Sequence, residues 1–366
     1  MAVKSPALDV RKYKILSSQD SKTWRTYLHY FPEKLQDVFF LPEYYALYET
    51  DDVKAECFVY QDDDRIIFYP YLKTKISLLG WAERNGSYYD IEGAYGYNGI
   101  LSNTKDGAFQ KEFNQAFAQF CRDHRIVAEF MRLNPLYQND LVCDDLQLEQ
   151  TNKNVIVDLS LSEEELWSQS YEHCVRKNIK KAQSHHIHIR SFWGNELEDD
   201  LLTEFLNIYY HTMDRYQTEK VYYFPKTYFK NLGKKLGKNS LFFFAFQNGK
   251  VVSCELVLLG SKIGYSFLGG TLEQYNLSRP NNLLKHEIIR ELKKLSFQFY
   301  CIGGGRQPND GIYRYKKTFA KNGEVDFCIG KRIHNPEVYD SLCRAWVQQF
   351  PEKEKTYKNY FLKYKF

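Results

Sequence analysis

A chain of 366 residues with 43% hydrophobic and 26% charged side chains is globular rather than disordered, and its length suits two domains of roughly 150–200 residues. Its 50 Lys and Arg against 46 Asp and Glu leave a net charge of +4, which permits an RNA or anionic-metabolite partner without requiring one. Residues 1–10 lack an apolar core of signal-peptide length, no apolar run of about 18 residues follows, and the eight cysteines form no C-x-x-C; a disulfide scaffold and a spanning helix are excluded, and a cytoplasmic protein is expected.

In chain order, the first clear signal is a hairpin. Residues 56–71 read E-C-F-V-Y-Q-D-D-D-R-I-I-F-Y-P-Y, two apolar strands around a polar turn. Y-G-Y-N-G follows at 95–99. Phe109, Phe113, Phe117 and Phe120 then recur at helical spacing and predict a helix over 107–123. A strand is expected at 126–132, where Arg132 is costly to bury unless paired. Ser162, backed by Glu163, Glu164 and Glu165, marks a helix start, and 162–185 reads as one helix with cations in its last turns. Leu166, Tyr171, Cys174 or Val175, Ile179 and Ala182 are its apolar stripe; Arg176, Lys177, Lys180 and Lys181 fall elsewhere. His185, His186 and His188 follow, but a helix end running into a strand points them apart, so no metal site is expected. Residues 201–216 form the next helix, and V-Y-Y-F-P-K at 221–226 reads as an aromatic loop.

The second half repeats the first. Residues 241–256 make another hairpin, Y-S-F-L-G-G at 265–270 precedes a helix over 281–294 carried by Leu284, Ile288 and Leu292, and a strand follows at 297–302. Hairpin, strand, helix and strand thus occur twice, which predicts two copies of one mixed α/β unit at 1–160 and 161–330, with 331–366 packing back on the first. The last strand runs into C-I-G-G-G-R-Q-P-N-D-G-I-Y-R-Y-K-K-T-F-A at 301–320. Glycines at a strand end let backbone N–H groups approach a ligand, and cations soon after can neutralise charge that develops there.

These pieces in this order resemble the Fem family of tandem acetyltransferase-fold (GNAT-fold) proteins. The resemblance spans roughly 40–330 and rests on Y-G-Y-N-G (95–99), E-F-M-R-L-N-P (129–135), V-R-K-N-I-K-K-A (175–182), T-M-D-R (212–215) with Y-Y-F-P-K-T-Y-F (222–229), and G-I-Y-R-Y-K-K (311–317). It implies α/β architecture with mixed sheets: two tandem GNAT-like domains packed around a central channel, without the coiled-coil arm of longer members. It also implies an N-acyltransferase that moves an aminoacyl group from aminoacyl-tRNA, or an acyl group from acyl-CoA, onto an amine of a nucleotide- or lipid-linked peptidoglycan or polysaccharide precursor. The donor is then a co-substrate and no tightly bound cofactor is implied; tRNA and a peripheral membrane contact are candidate partners. Tyr315 and Lys316 occupy the place of the family's reactive aromatic–lysine pair, with Tyr for the more usual Phe, and Arg215 falls where members bind acceptor phosphates. Asn134 stands where Asp is common, and nothing near 41–48 matches the family's early phosphate-contacting lysine.

Aminolysis asks for a neutral amine, an activated carbonyl, a donor toward the developing oxyanion and a proton route. Lys316 and Tyr315 are the candidate catalytic pair. Arg215, Tyr223, Lys226 and Arg314 are expected to bind the acceptor, with Tyr97 and Arg132 lining the first domain's side of a cleft. Gly269, Gly270, Arg279, Asn281 and Asn282 lie where a GNAT fold holds a pyrophosphate at a helix start and are candidate donor-binding residues. The glycine-rich acyl-CoA signature is missing there, which favours another donor. Two alternatives stay open: an acyl-CoA-dependent N-acetyltransferase acting on an amino sugar or small amine, and an inactive tandem-GNAT binding scaffold.

Overall fold

The computed structural model describes residues 12–78, 81–137, 139 and 146–366. Residues 1–10 and Cys143, both read above, lie outside them; the seven other cysteines are free thiols. The chain forms two compact units, one from the segments up to Pro32, Phe40–Glu149 and Ile329–Phe366, the other from Glu33–Phe39 and Gln150–Cys328. Among the described residues no helix is long and apolar enough to cross a membrane.

In the first unit, β1 (Tyr13–Ser17) and α1 (Ser21–Leu28) lead to a hairpin of β2 (Val53–Asp62) and β3 (Arg65–Lys75), paired from Val53↔Thr74 to Asp62↔Arg65. β4 (Tyr89–Glu92), β5 (Leu101–Ser102), α2 (Gly107–Asp123) and β6 (Ile126–Arg132) follow, and β4 and β6 run parallel with α2 as their connection. Asp106 starts α2 because its carboxylate accepts from the N–H of Ala108 (2.9 Å) and Phe109 (3.3 Å). The phenylalanine stripe of α2 then packs on Phe58, with ring centroids 5.1 Å from Phe117 and 5.2 Å from Phe120. Residues 95–99, matched above to a strand of the second copy, form a turn; Gly96 (φ 109°) and Gly99 (φ 116°) leave the extended region, and β4 is the strand that pairs with β6.

The second unit begins along β7 (Gln147–Asp158) and continues through α3 (His173–Ser184), β8 (His188–Trp193), α4 (Asp199–Arg215) and α5 (Lys226–Leu236). The hairpin β9 (Ser240–Gln247) and β10 (Lys250–Leu259), then β11 (Ile263–Thr271), α6 (Pro280–Lys294), β12 (Phe299–Gly303) and α7 (Gly311–Lys317) complete it. Its strands lie in the order β7-β12-β11-β10-β9-β8, and β11 and β12 are parallel. Alternation along β9 assigns the faces. Leu241, Phe243 and Ala245 share a core with Val175, Ile179, Leu284 and Ile288 of α3 and α6. On the other face Phe205 of α4 meets Phe229 and Phe242 at 5.2 Å each.

One expected helix is broken. Ser162 caps its start, with the Glu165 N–H 3.1 Å from Ser162 Oγ, but the chain widens over Leu166–Ser170, where the Tyr171 N–H reaches the Leu166 carbonyl at 2.9 Å, and Tyr171 is extended. The groups freed at the break are used elsewhere. Glu172 N–H donates to Thr318 O (2.8 Å) and Lys321 N–H to Ser170 O (3.1 Å), so the break grips the chain just after α7. Arg176 Nη1 donates to the Trp167 and Tyr171 carbonyls at 3.0 and 2.6 Å. Its charge is spent on the kink rather than offered to solvent.

The chain returns to the first unit through β13 (Glu324–Ile333), whose Ile329–Ile333 pair antiparallel with β6, and α8 (Pro336–Gln349), whose Leu342 and Trp346 pack with Ile76, Trp81 and Val127. Fully buried Glu129 of β6 accepts from Arg332 Nε at 2.5 Å and Tyr69 OH at 3.1 Å. Burial alone would raise its carboxyl; the Arg332 charge and His334 outweigh burial and bring it down to about 2. A depressed carboxylate contributes stability above its ordinary value near ~4.3 and loses it as pH falls toward the folded value. Glu129→Gln is therefore expected to cost about 3–5 kcal/mol at pH 7, by leaving Arg332 buried without its counter-charge. In urea titrations at several pH values the variant should also lose less stability than the parent below about pH 4.

Candidate active site

β11 and β12 pair only over Ile263↔Phe299, Gly264↔Tyr300 and Tyr265↔Cys301, after which β12 follows β7 and β11 continues beside β10 to Thr271. Two parallel strands that part leave a wedge, and α6 begins over it. Arg279 takes a left-handed conformation (φ 61°), and Pro280 at the first helical position fixes the start. A cavity of about 170 Å³ occupies this region, with Glu255, Ser266, Gly269, Asn281, Lys285 and Tyr315 among its walls. A second, of about 390 Å³, shares Gly270, Thr271 and Asn281 with it and adds Thr212, Arg215, Tyr216, Glu273 and Asn276.

The floor of the smaller cavity is a buried polar cluster absent from the sequence expectations. Lys285 Nζ donates to both Glu255 oxygens (2.5 and 2.6 Å), to Ser266 Oγ (2.8 Å) and to Tyr300 OH (3.1 Å), while Tyr300 OH donates to Glu255 at 2.5 Å. Glu255, Lys285 and Tyr300 are 7%, 6% and 0% exposed. Burial pulls the Lys285 ammonium below the usual lysine range against the opposing pull of Glu255. Burial first and Glu255 second push the Tyr300 phenol well up. The signal was in the sequence: Glu255 interrupts the apolar strand V-V-S-C-E-L-V-L-L, and Lys285 falls on the helical stripe of Ile288, Ile289 and Leu292.

α7 brings the expected catalytic pair to this cluster. Asp310 caps it, accepting from the N–H of Tyr313 (2.8 Å), Arg306 (2.7 Å) and Gln307 (3.1 Å). Tyr315 lines the smaller cavity, and its OH donates to the Asn281 carbonyl at 3.2 Å. Lys316 is in this helix, and its Nζ donates to the Gly304 carbonyl at 2.7 Å; it is not among the residues lining the two cavities. Burial, and then the Lys285 charge, pull Lys316 down to about 8. The glycines before α7 face their own chain rather than a ligand: a Cβ on Gly304 would sit 2.6 Å from the Lys153 carbonyl, and one on Gly305 2.2 Å from Asp310 Oδ1.

The remaining expected residues separate. Gly269 and Gly270 are strand residues paired with Glu255 and Cys254, not a loop. A Cβ on Gly269 would lie 2.4 Å from the Cys254 carbonyl, and one on Gly270 2.9 Å from the Ile208 carbonyl of α4. Asn281 reaches both cavities; Asn282 is buried beneath the helix start, and Arg279 is exposed. Arg215 lines the larger cavity with its guanidinium 4.9 Å from the Tyr216 ring. Tyr223 OH donates to Asp214 at 2.8 Å, and Lys226 begins α5 instead of lying in a loop, its Nζ 2.7 Å from Asp199; neither lines these cavities. Arg314 is exposed and donates to the Asn309 carbonyl at 2.7 Å. In the first unit, the loop of Tyr97 meets the end of β6 through Asn98, whose Oδ1 accepts from the Arg132 N–H at 2.7 Å; the Arg132 guanidinium lies 4.9 Å from the Phe130 ring.

Removing one member of a buried ion pair strands the other charge. Lys285→Met or Glu255→Leu alone should cost about 3–5 kcal/mol in chemical denaturation, and the double substitution markedly less than the sum of the two.

Residues 164–278 match the FemAB-like family model, described as peptidoglycan biosynthesis/recognition. A search of curated proteins gave no match. Among solved structures, the crystal structure of FemX is similar over 90% of this chain and 98% of its own, at 11% identity and a TM-score of 0.64. A tandem GNAT protein from the clavulanic acid biosynthesis pathway is similar over 88% of this chain and 98% of its own, at 6% identity and a TM-score of 0.52. The parallel strands that part beside a helix start and these structural likenesses agree: the chain has the tandem GNAT fold, and its residues 164–278 are similar to the FemAB-like family.

Proposed function

We propose that this protein is an N-acyltransferase that moves an aminoacyl group from aminoacyl-tRNA, or an acyl group from a thioester, onto an amine of a peptidoglycan or polysaccharide precursor. The observation that carries the reading is Lys316, a half-buried lysine with lowered proton affinity, which follows in the helix directly after Tyr315, a wall residue of the polar cavity at the parting of two parallel strands. The family description of residues 164–278 supports the cell-envelope acceptor.

In the proposed reaction the acceptor amine, as its free base, attacks the carbonyl carbon of the donor. A C–N bond forms and negative charge gathers on the carbonyl oxygen; the C–O or C–S bond then breaks. The amine loses one proton and the leaving oxygen or sulfur gains one. Lys316 is suited to hold the developing charge and to supply that proton, because an ammonium that titrates near 8 gives up its proton more readily than an ordinary lysine. Tyr315 and Asn281 would position the acyl group, and Arg215, at the larger cavity, would take a phosphate of the acceptor or donor. Tyr97 and Arg132 are proposed acceptor contacts from the first unit. The start of α6 at both cavities keeps an acyl-CoA donor as the second reading, since helix-start N–H groups can hold a pyrophosphate.

Mass-spectrometric assay of acyl transfer from charged tRNA and from acetyl-CoA to uridine-diphosphate-linked muramyl peptide should show product with one donor. Lys316→Ala should lower kcat about 100-fold or more with KM little changed. Activity of the parent should fall as pH rises through about 8, where the Lys316 ammonium loses its proton. Tight ligand binding with no turnover above background would instead leave the protein a binding scaffold.

A further inference from the structure

Asp90 and Glu92 stand two residues apart on β4 and so share a face of that strand. One turn of chain, Lys363–Lys365, covers both. Tyr364 OH donates to Asp90 Oδ1 at 2.9 Å, and Lys365 Nζ donates to Glu92 Oε1 at 2.7 Å. Around these bonds Leu362 and Tyr364 join the core of Ile76, Trp81, Leu342 and Trp346. Tyr339 OH of α8 donates to the Phe361 carbonyl at 2.5 Å, and Trp346 Nε1 to the Phe366 carbonyl at 3.1 Å.

The two acids are answered unequally. Burial would raise the Glu92 carboxyl, but the Lys365 charge outweighs it and lowers the carboxyl instead. Asp90 is fully buried and receives only a phenol, and its Oδ2 has no hydrogen-bond partner among the described residues. A carboxylate so placed is costly, whereas a protonated carboxyl leaves only a neutral hydroxyl to bury. Burial accordingly lifts the Asp90 carboxyl to about 7, over the opposing pulls of Lys365, Tyr364 and the Ala128 backbone, and Glu92 adds to the lift. The titratable groups that face it from α8 are Tyr339 and Cys343, both raised by burial and so neutral at pH 7, with Asp340 and Lys363 acting on Cys343.

We propose that the turn Lys363–Lys365 is a proton-controlled latch on β4, closed over the protonated Asp90 carboxyl and loosened when that carboxyl gives its proton to solvent. An ionised Asp90 gains water only where Tyr364 lifts away, so the charge favours the open turn. Because the closed-state value lies above the ordinary 3.8, the latch is tightest below about pH 4, weakens as pH climbs toward 7, and stays weak above it. Across that window the ratio of closed to open turn should fall about a thousandfold. β4 runs directly into the segment that carries Tyr97, so the latch bears on a residue proposed to meet the acceptor. That consequence rests on the function proposed above; the latch itself does not.

Hydrogen–deuterium exchange between pH 5 and 8, corrected for the intrinsic rate, reads the latch through the amides of Lys365 and Phe366, which bond to Leu362 and Lys363. Their protection in the parent should fall at least about tenfold over that range. In Asp90→Asn, whose neutral amide keeps an acceptor for Tyr364, protection should stay within about twofold. The thermal melt of this variant should exceed the parent's by more at pH 8 than at pH 5. Protection in the parent that does not change with pH, or an equal fall in Asp90→Asn, would overturn the proposal. Carbon-13 NMR of the parent supplies a test that needs no variant: the Asp90 carboxyl should titrate near 7, and titration below about 5 would sink the latch. A pH-dependent latch in a protein that transfers no acyl group from any donor would keep this inference and remove the acyltransferase reading.

Discussion

The Lys285–Glu255 pair is the constraint on which the candidate site depends. It ties β10, through Glu255, to α6, through Lys285, and Ser266 and Tyr300 add β11 and β12 to the same cluster. These are the strands that part after Tyr265 and Cys301, so the cluster sits where the ladder between them ends. Apolar packing could fill such a wedge with less electrostatic cost, since desolvating two charges roughly offsets their attraction. A charged floor instead keeps the neighbouring cavity polar and sets fixed charges beside Lys316 and Tyr315.

Those two residues are placed by parts of the chain far apart in sequence. Asp310 gathers the loop after β12 and starts α7; Gly304 and Gly305 are small because Lys153 and Asp310 press on them. The far end of α7 is held by the break at 170–172, whose backbone groups pair with Thr318 and Lys321. A straight helix over 162–185 would keep those groups for itself. The break thus costs local helix hydrogen bonds and returns them as a fixed mount for the lysine.

Sequence periodicity alone determined the two hairpins, the helices over 107–123 and 281–294 with the strands that follow them, the phenylalanine stripe of the first-unit helix, and the capped helix start at Ser162. These are local patterns in which each residue's neighbours along the chain decide its conformation. Asn281 was named because a helix start announces itself locally and Tyr315 through the family resemblance, and folding brings both to one cavity. The tertiary structure alone decided that Gly269 and Gly270 are packing glycines within a strand, that Lys226 answers Asp199, and that Tyr171 breaks a helix. It also decided that Glu255 finds Lys285, 30 residues on. A buried charge is stable only where its partner arrives through folding, and no spacing along the chain encodes that meeting.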